Sequence, residues 1–456
     1  MSGFFSKERI TASHRYNRWL IPPAALAVHL CIGQAYAFSV FNEPLTRILG
    51  ITTSTPADWK LTTIGWIFSL AIVFLGLSAA FGGKWLEKVG PRCTMFTAAC
   101  CFGGGFIISA IGVQTHQIWL LYLGYGVIGG CGLGLGYVSP VSTLIKWFPD
   151  RRGMATGLAI MGFGGGAMIG SPLSVGLMDY FHSTTTVGVA ETFIVMGVLY
   201  FISMCIGSLA IRIPPEGWQP AGHKVASTPA RMVTPHHVHI DEALRTPQFY
   251  LLWLMLCLNV TAGIGVLGQA SVMLQEMFQG GISPGAAAGF VGLLSLFNMG
   301  GRFLWSSASD YLGRQNTYYV FFVLGALLYA TLPAISNSGN VTLFILATAV
   351  ILSMYGGGFS TIPAYLADIF GTRYVGGIHG RLLTAWAAAG VFGPVLVNYI
   401  REYQLMHDVA KTDAYTMTLY IMAGLLVAGF ICNMLMRPVD EKHHMSPGEL
   451  AGSAQA

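Results

Sequence analysis

The chain carries twelve separate stretches of about twenty mostly apolar residues. They lie near positions 19–42, 61–81, 93–112, 118–144, 153–177, 188–212, 247–278, 285–308, 317–336, 341–369, 379–401 and 413–436. An α-helix needs a run of that length to cross the ~30 Å hydrocarbon core of a bilayer, where it satisfies its own backbone hydrogen bonds. Only 9% of the 456 residues are charged, against roughly 25% in soluble domains. The sequence therefore predicts an all-α membrane protein embedded in a lipid bilayer. The first run follows the basic segment SKERITASHRYNRW, is long for a signal core and shows no evident cleavage site. It reads as the first membrane helix.

Lys and Arg set the expected orientation. With the amino terminus inside, 19 of the 24 Lys and Arg residues fall in cytoplasmic segments. Four (Arg47, Lys60, Arg401 and Lys411) fall outside, and Arg302 belongs to neither group. Positively charged loops stay on the cytoplasmic side, so both termini are expected there, in a cell inner membrane. The net charge of +5 is then a topology signal and gives no argument for nucleic acid. The eight cysteines all lie in or beside apolar runs, with no paired Cys-x-x-Cys, so neither a disulfide framework nor a zinc site is indicated. No HExxH, GxSxG or Walker pattern occurs. We expect no enzyme, no cofactor and no metal. His236, His237 and His239 cluster in a polar segment and read as a solvated loop.

Arg302 stands inside the run GAAAGFVGLLSLFNMGGRFLWSSASD. A cation at the bilayer centre costs a few kcal/mol or more, so it must reach water or serve a pathway. It lies about six residues, ~9 Å, from the expected end of its helix, within reach of snorkelling. The other reading is that it holds an anion in transit. Glu43, Glu191, Glu276 and Asp368 lie at or near span ends, so no carboxylate relay is expected at mid-membrane. A proton could instead enter with a substrate, or through Asp368 or His379. A multidrug carrier would want an embedded acid, and a sugar carrier many buried amides and acids. Neither pattern is seen.

The chain repeats weakly. Glu87-x-x-Gly90 matches Asp310-x-x-Gly313, and Gly170 matches Gly393, both at an offset of 223, while Phe148 matches Phe370 at 222. Three matches within one residue of a common register, over two sets of six helices, indicate duplication. Parallel six-helix halves around a central site are the layout of the major facilitator fold. The expected division is a bundle at 1–212, a cytoplasmic linker at 213–246, a second bundle at 247–437 and a tail at 438–456. Glu87 and Asp310 resemble that superfamily's acidic loop positions. With Arg314 and Asp368 they are the expected gating residues. Glycines recur every four residues at Gly126, Gly130 and Gly134 and at Gly162, Gly166 and Gly170, with a run at Gly356–Gly358. They serve either close helix packing or hinges.

The segments IGQAYAFSVFNEPL, GLGYVSPVSTLIKWFPDRRGMATGLAIMGFGGGAMIGSPL, LRTPQFYLLWLMLCLNVTAGIG and GGGFSTIPAYLADIFGTRYVGGIHGRLLTAW resemble the oxalate/formate antiporter family. It is a branch of the major facilitator superfamily close to the monocarboxylate transporters. The resemblance implies a secondary transporter of small carboxylates working by alternating access, by exchange or with a proton. It puts the substrate on Asn298 and Arg302, one helical turn apart, with Tyr36 and Tyr137 beside them and Tyr355 a looser match. Gln34 is polar on an apolar helix and either lines the same cavity or bonds a neighbouring helix. It is two residues from Tyr36, so both line one cavity only where that helix is bent or unwound. The oxalate branch is expected to carry a lysine where this chain has Trp386. One cation favours a monocarboxylate such as lactate, pyruvate or formate. Oxalate:formate exchange, and a carboxylate sensor that does not transport, stay open as alternatives. The partners expected are a small organic anion, lipid, and a proton or counter-substrate, and the protein is expected to act as a monomer.

Overall fold

The computed structural model describes residues 7–220, 232–278, 281–446 and 448. Among them the chain is helical, with only isolated β-bridges at Thr11–Ile213 and Val238–His444. The long helices are α1 (Arg18–Leu45), α2 (Leu61–Val89), α3 (Pro91–Gln114), α4 (Ile118–Trp147), α5 (Arg152–Phe181) and α6 (Val189–Ala210). They continue with α7 (Pro247–Met277), α8 (Pro284–Leu312), α9 (Arg314–Asn337), α10 (Val341–Phe370), α11 (Val375–Met406) and α12 (Thr416–Met434). Eleven of them are long and apolar enough to cross a membrane; α8, with 29 residues, is as long and carries Arg302 and Asp310.

Several helices outrun their apolar stretches. α2 continues to Val89 and α8 to Leu312, past the expected ends at 81 and 308. Polar residues extend the backbone ladder into the interface, where hydropathy no longer reports it. Gly90 and Gly313 stop the two helices with φ of 85° and 83°, a conformation that glycine adopts without the Cβ clash of other residues. The longer α8 places Arg302 about ten residues, ~15 Å, from its end. The added turns are polar and lie in the interface, so the apolar part of α8 beyond Arg302 is no longer than the sequence suggested.

Within the first six helices α3 packs on α6 and α4, α2 on α4, and α1 on α5 and α6. Within the last six α8 packs on α10, α7 on α11 and α12, and α9 on α12 and α10. The two sets meet where α5 lies along α8 and α10 and where α2 lies along α11. The glycine stripes are packing surfaces. A Cβ on Gly130 or Gly134 would meet backbone of α2, and one on Gly166 would meet backbone of α1.

Three helices depart from regular geometry near the bundle centre. α1 is α-helical over Ile21–Ile32 and tightens to a 3-10 helix over Gly33–Phe41. α4 widens to a π-helix over Tyr122–Gly129. α11 breaks between Val375–Leu382 and Thr384–Met406. Such irregular turns recur where function needs a side chain re-aimed.

Thr11 bridges Ile213 and His444 bridges Val238, which puts the described residues nearest both termini beside the segment joining the halves, on one face called here the termini face. Residues expected to form a solvated loop dock on it. The amides of Thr234 and Val238 donate to the carbonyls of Asp368 and Phe370 at 2.8 and 3.0 Å, and Met445 donates to His237 at 2.9 Å. His236 stacks on His444 with ring centroids 4.8 Å apart.

Candidate functional site

Arg302 is fully buried, projecting from α8 against α5 and α1. Its Nε donates to Asn298 Oδ1 at 3.2 Å, one turn back on the same helix. Nη1 reaches the Ile160 carbonyl at 3.4 Å and Nη2 the Tyr36 hydroxyl at 3.5 Å. A guanidinium has five donors, and hydrogen bonds of that length are weak. Among the described residues no carboxylate pairs with it. The rings of Phe359, Phe163 and Tyr36 lie 5.1, 5.8 and 5.9 Å from its Cζ. Ring faces soften the cost of a buried cation without using its hydrogen-bonding fork. The side chain does not snorkel; it is held inside the bundle, between α8, α5 and α1, with bonding capacity to spare.

Tyr36 and Tyr355 approach hydroxyl to hydroxyl at 3.5 Å, across the two sets of helices. Tyr355 is buried and Tyr36 half-buried, and Tyr36 is the member of the pair that reaches Arg302. Trp386, fully buried, packs on Phe359, Phe163, Tyr137 and Tyr36 at centroid distances of 5.0, 5.5, 6.3 and 6.5 Å. Asn298, Tyr36, Tyr355, Tyr137 and Trp386 thus surround Arg302 directly or through this wall. Gln34 does not join them. Its side chain accepts from the Tyr125 hydroxyl at 3.1 Å inside the first six helices. In the tightened turn of α1, Gln34 and Tyr36 still point apart, and only Tyr36 faces α8.

A second constellation closes the termini face. The Asp310 carboxylate accepts from the amides of Gly153 and Met154, both at 2.8 Å, at the start of α5. Glu87 accepts from the amide of Gly376 at 3.2 Å, at the start of α11. Each acid therefore caps the first turn of a helix in the opposite half, where free N–H groups and the helix dipole favour an anion. The two pairs repeat at the same offset of 223 residues. Asp368 lies between Arg152 at 2.7 Å and Arg314 at 3.1 Å, and Arg314 also pairs with Asp310 at 2.6 Å. Lys146 pairs with Glu87 at 3.0 Å.

Asp241, in the segment joining the halves, bonds Arg381 of α11 at 2.6 Å and Lys84 of α2 at 3.1 Å. These hydrogen bonds from Arg381 and Lys84 hold its carboxyl down at about 2. Sequence reasoning did not single out Asp241, Lys84, Arg152 or Lys146, nor Phe163 and Phe359. The Asp-Arg-Arg-Gly run after α4 was a visible signal for Arg152. The two phenylalanines carry none, because lipid-facing and site-facing Phe look alike in sequence.

The helical bundle buries Arg302 between two packed halves, without a carboxylate partner among the described residues, and ion pairs join the halves at one end, an arrangement that suits a membrane carrier. The Major Facilitator Superfamily model matches residues 24–394, and the chain belongs to that superfamily. It is 29% identical over 440 residues to an "Oxalate:formate antiporter" of Oxalobacter formigenes, covering 95% of this chain and 96% of that protein. It is 23% identical over 522 residues to "Apicoplast pyruvate carrier 1" of Toxoplasma gondii, covering 95% and 92%. Among solved structures it resembles the transporter FucP in its outward conformation, with a TM-score of 0.64, 15% identity, and coverage of 90% and 98%. That last likeness concerns the fold. The chain is a secondary transporter spanning the membrane many times.

Proposed function

We propose that this protein carries small monocarboxylates such as lactate, pyruvate or formate across an inner membrane by alternating access. The observation that carries the reading is Arg302, buried between the two halves with no carboxylate partner among the described residues and an incompletely used donor fork. A carboxylate fits that fork with two parallel charge-assisted hydrogen bonds. Asn298 orients the guanidinium, Tyr36 and Tyr355 cover it, and Tyr137 and Trp386 limit the length of the bound acid. A single cation balances a monoanion. The relatives named for formate and for pyruvate support a short carboxylate. The relative named for oxalate keeps oxalate:formate exchange as a second reading, which the lone cation disfavours.

The termini face is the cytoplasmic one, by its excess of Lys and Arg. Residues 1–212 and 247–437 rock against each other around Arg302, joined by the linker 213–246. Glu87, Asp310, Arg314 and Asp368, with Arg152, hold the cytoplasmic side shut and release it when the carrier turns inward. Binding of the anion relieves the buried charge that opposes reorientation. The loaded carrier therefore turns over faster than the empty one, which favours exchange or symport over free leak. The carrier works as a monomer.

Counterflow tests this reading. Vesicles holding the purified protein are preloaded with one unlabelled acid, and uptake of labelled lactate, pyruvate, formate and oxalate is followed. Rapid uptake of a monocarboxylate and not of oxalate is expected. Fast oxalate–formate exchange would replace this reading with the second. Uptake of none would point to a sensor or to another anion.

A further inference from the structure

Two histidines lie inside membrane helices, His29 of α1 and His379 of α11, and both are buried against Tyr137 of α4. Their ring centroids are 5.4 and 5.6 Å from the Tyr137 ring. His29 Nδ1 lies 3.0 Å from the Ala25 carbonyl oxygen. A carbonyl only accepts, so Nδ1 carries the hydrogen, and in the neutral ring Nε2 presents a bare lone pair. That Nε2 has no hydrogen-bond partner among the described residues, nor have the Tyr137 hydroxyl and either ring nitrogen of His379. Leaving a buried polar atom unmet costs about 1–3 kcal/mol, and here four belong to three neighbouring rings drawn from both halves. Arg302 is near enough to act electrostatically on both His29 and Tyr137.

We infer that His29, with Tyr137 and His379 beside it, is a proton-binding site that couples carboxylate movement to a proton. The inference rests on the carboxylate reading above. In the step, a hydronium ion from the side open to water gives its proton to His29 Nε2. A new N–H bond forms and water is released, while the carboxylate binds Arg302. After reorientation the N–H bond breaks, and the proton returns to water on the other side as the carboxylate leaves. No electron changes hands, and one proton per monoanion makes the cycle electroneutral. A protonated His29 and the guanidinium repel each other, and a carboxylate on Arg302 removes that repulsion. Proton and substrate therefore each favour the other's binding.

Tyr137 of α4 faces both rings; the charged group acting on His29 from α8 is Arg302, which in turn lies over Tyr36 of α1. α5 presents Gly162 to His29, and α2 presents Ala79 to the turn of His379, at Gly380. At the end of α11, Glu87 and Asp241 are already committed to Gly376 and Arg381. His379 lies four residues into α11, ~6 Å from its start, so opening of the termini face gives the proton a short exit.

The test uses the full chain in vesicles, with the membrane potential clamped by potassium and valinomycin. The probe is whichever of lactate, pyruvate and formate shows the fastest counterflow. One pH unit, acid outside, should drive about tenfold accumulation in the wild type, since tenfold is 1.4 kcal/mol. His29→Gln should lose that accumulation while counterflow, which needs no net proton movement, persists. Absence of counterflow in the wild type would sink the carboxylate reading itself. Counterflow without acid-driven accumulation, or full accumulation by the His29→Gln/His379→Gln double variant, would overturn the proton site alone. Should the variants fail to fold, calorimetry on the wild type in phosphate and in Tris decides. Buffer-dependent heats equivalent to proton uptake on binding are expected, and equal heats would overturn the proposal.

Discussion

At the residue scale, the site is one cation in an aromatic box. Trp386 packs on Tyr36, Phe163 and Phe359 around Arg302, where a second cation would serve a dianion. Trp386→Lys should raise oxalate counterflow relative to pyruvate by about tenfold or more, from one added charge-assisted hydrogen bond of roughly 1.5–3 kcal/mol. An unchanged ratio in a folded variant would remove Trp386 from substrate selection. Asn298→Leu frees the Arg302 Nε that Asn298 now accepts from, and should cut uptake by about tenfold through loss of that same kind of bond. A variant with the wild-type rate would make Asn298 dispensable. The sequence makes Arg302 legible, because a charge in an apolar run has few explanations, and Asn298 follows at one turn's distance. His29 was not legible, since a lone histidine in an apolar run looks the same whether its ring is bonded or bare. Gln34 was ambiguous because its direction depends on a 3-10 turn that no residue pattern announces.

At the element scale, α2 and α11 meet across the halves with almost no side chain between them at Gly83 and Gly380. A Cβ on Gly380 of α11 would lie 2.0 Å from the Ala79 carbonyl oxygen of α2, and backbone cannot yield as a side chain does. Gly380→Ala should therefore weaken the closed seam by the ~1–3 kcal/mol typical of overpacking. The expected readout is a longer α2–α11 distance by spin-label spectroscopy at the termini face. An unchanged distance distribution would show that the seam absorbs the methyl group. Helix number was readable from hydropathy alone, since lipid demands long apolar runs. Helix ends were not, because the last turns of α2 and α8 are polar and leave the hydrocarbon while still helical. The four-residue glycine spacing announced close packing, but not which helix each stripe would meet.

At the scale of the whole molecule, the termini face is held by acids that cap helices of the opposite half. Asp310→Asn keeps the shape but loses the charge that faces two amides and Arg314. It should shift the carrier toward opening on that face, seen as faster labelling of a cysteine placed in the seam. Labelling as slow as in wild type would take Asp310 out of the gate. The Asp241 clasp adds a pH expectation. Its carboxyl is held at about 2, below the ordinary 3.8. A depressed acid contributes stability above its free value and loses it as pH falls toward the depressed one. The clasp should therefore stay constant from pH 8 down to about 4 and weaken only below that. Labelling in the seam that changed between pH 8 and 5 in the wild type, and not in Asp241→Asn, would contradict this. The 223-residue offset between Glu87 and Asp310 was visible in sequence and recurs in the amides they accept from, Gly376 and Gly153. The docking of the histidine-rich segment was not, because it is held by backbone hydrogen bonds that composition does not encode.

In the proposed mechanism Arg302 holds the transported anion through its planar fork. The most direct test is counterflow of the preferred monocarboxylate by purified Arg302→Lys and Arg302→Ala beside the wild type. Lysine keeps the charge but cannot form two parallel bonds, so both variants should fall to about a tenth of the wild-type rate or less. Wild-type rates in both folded variants would contradict the account.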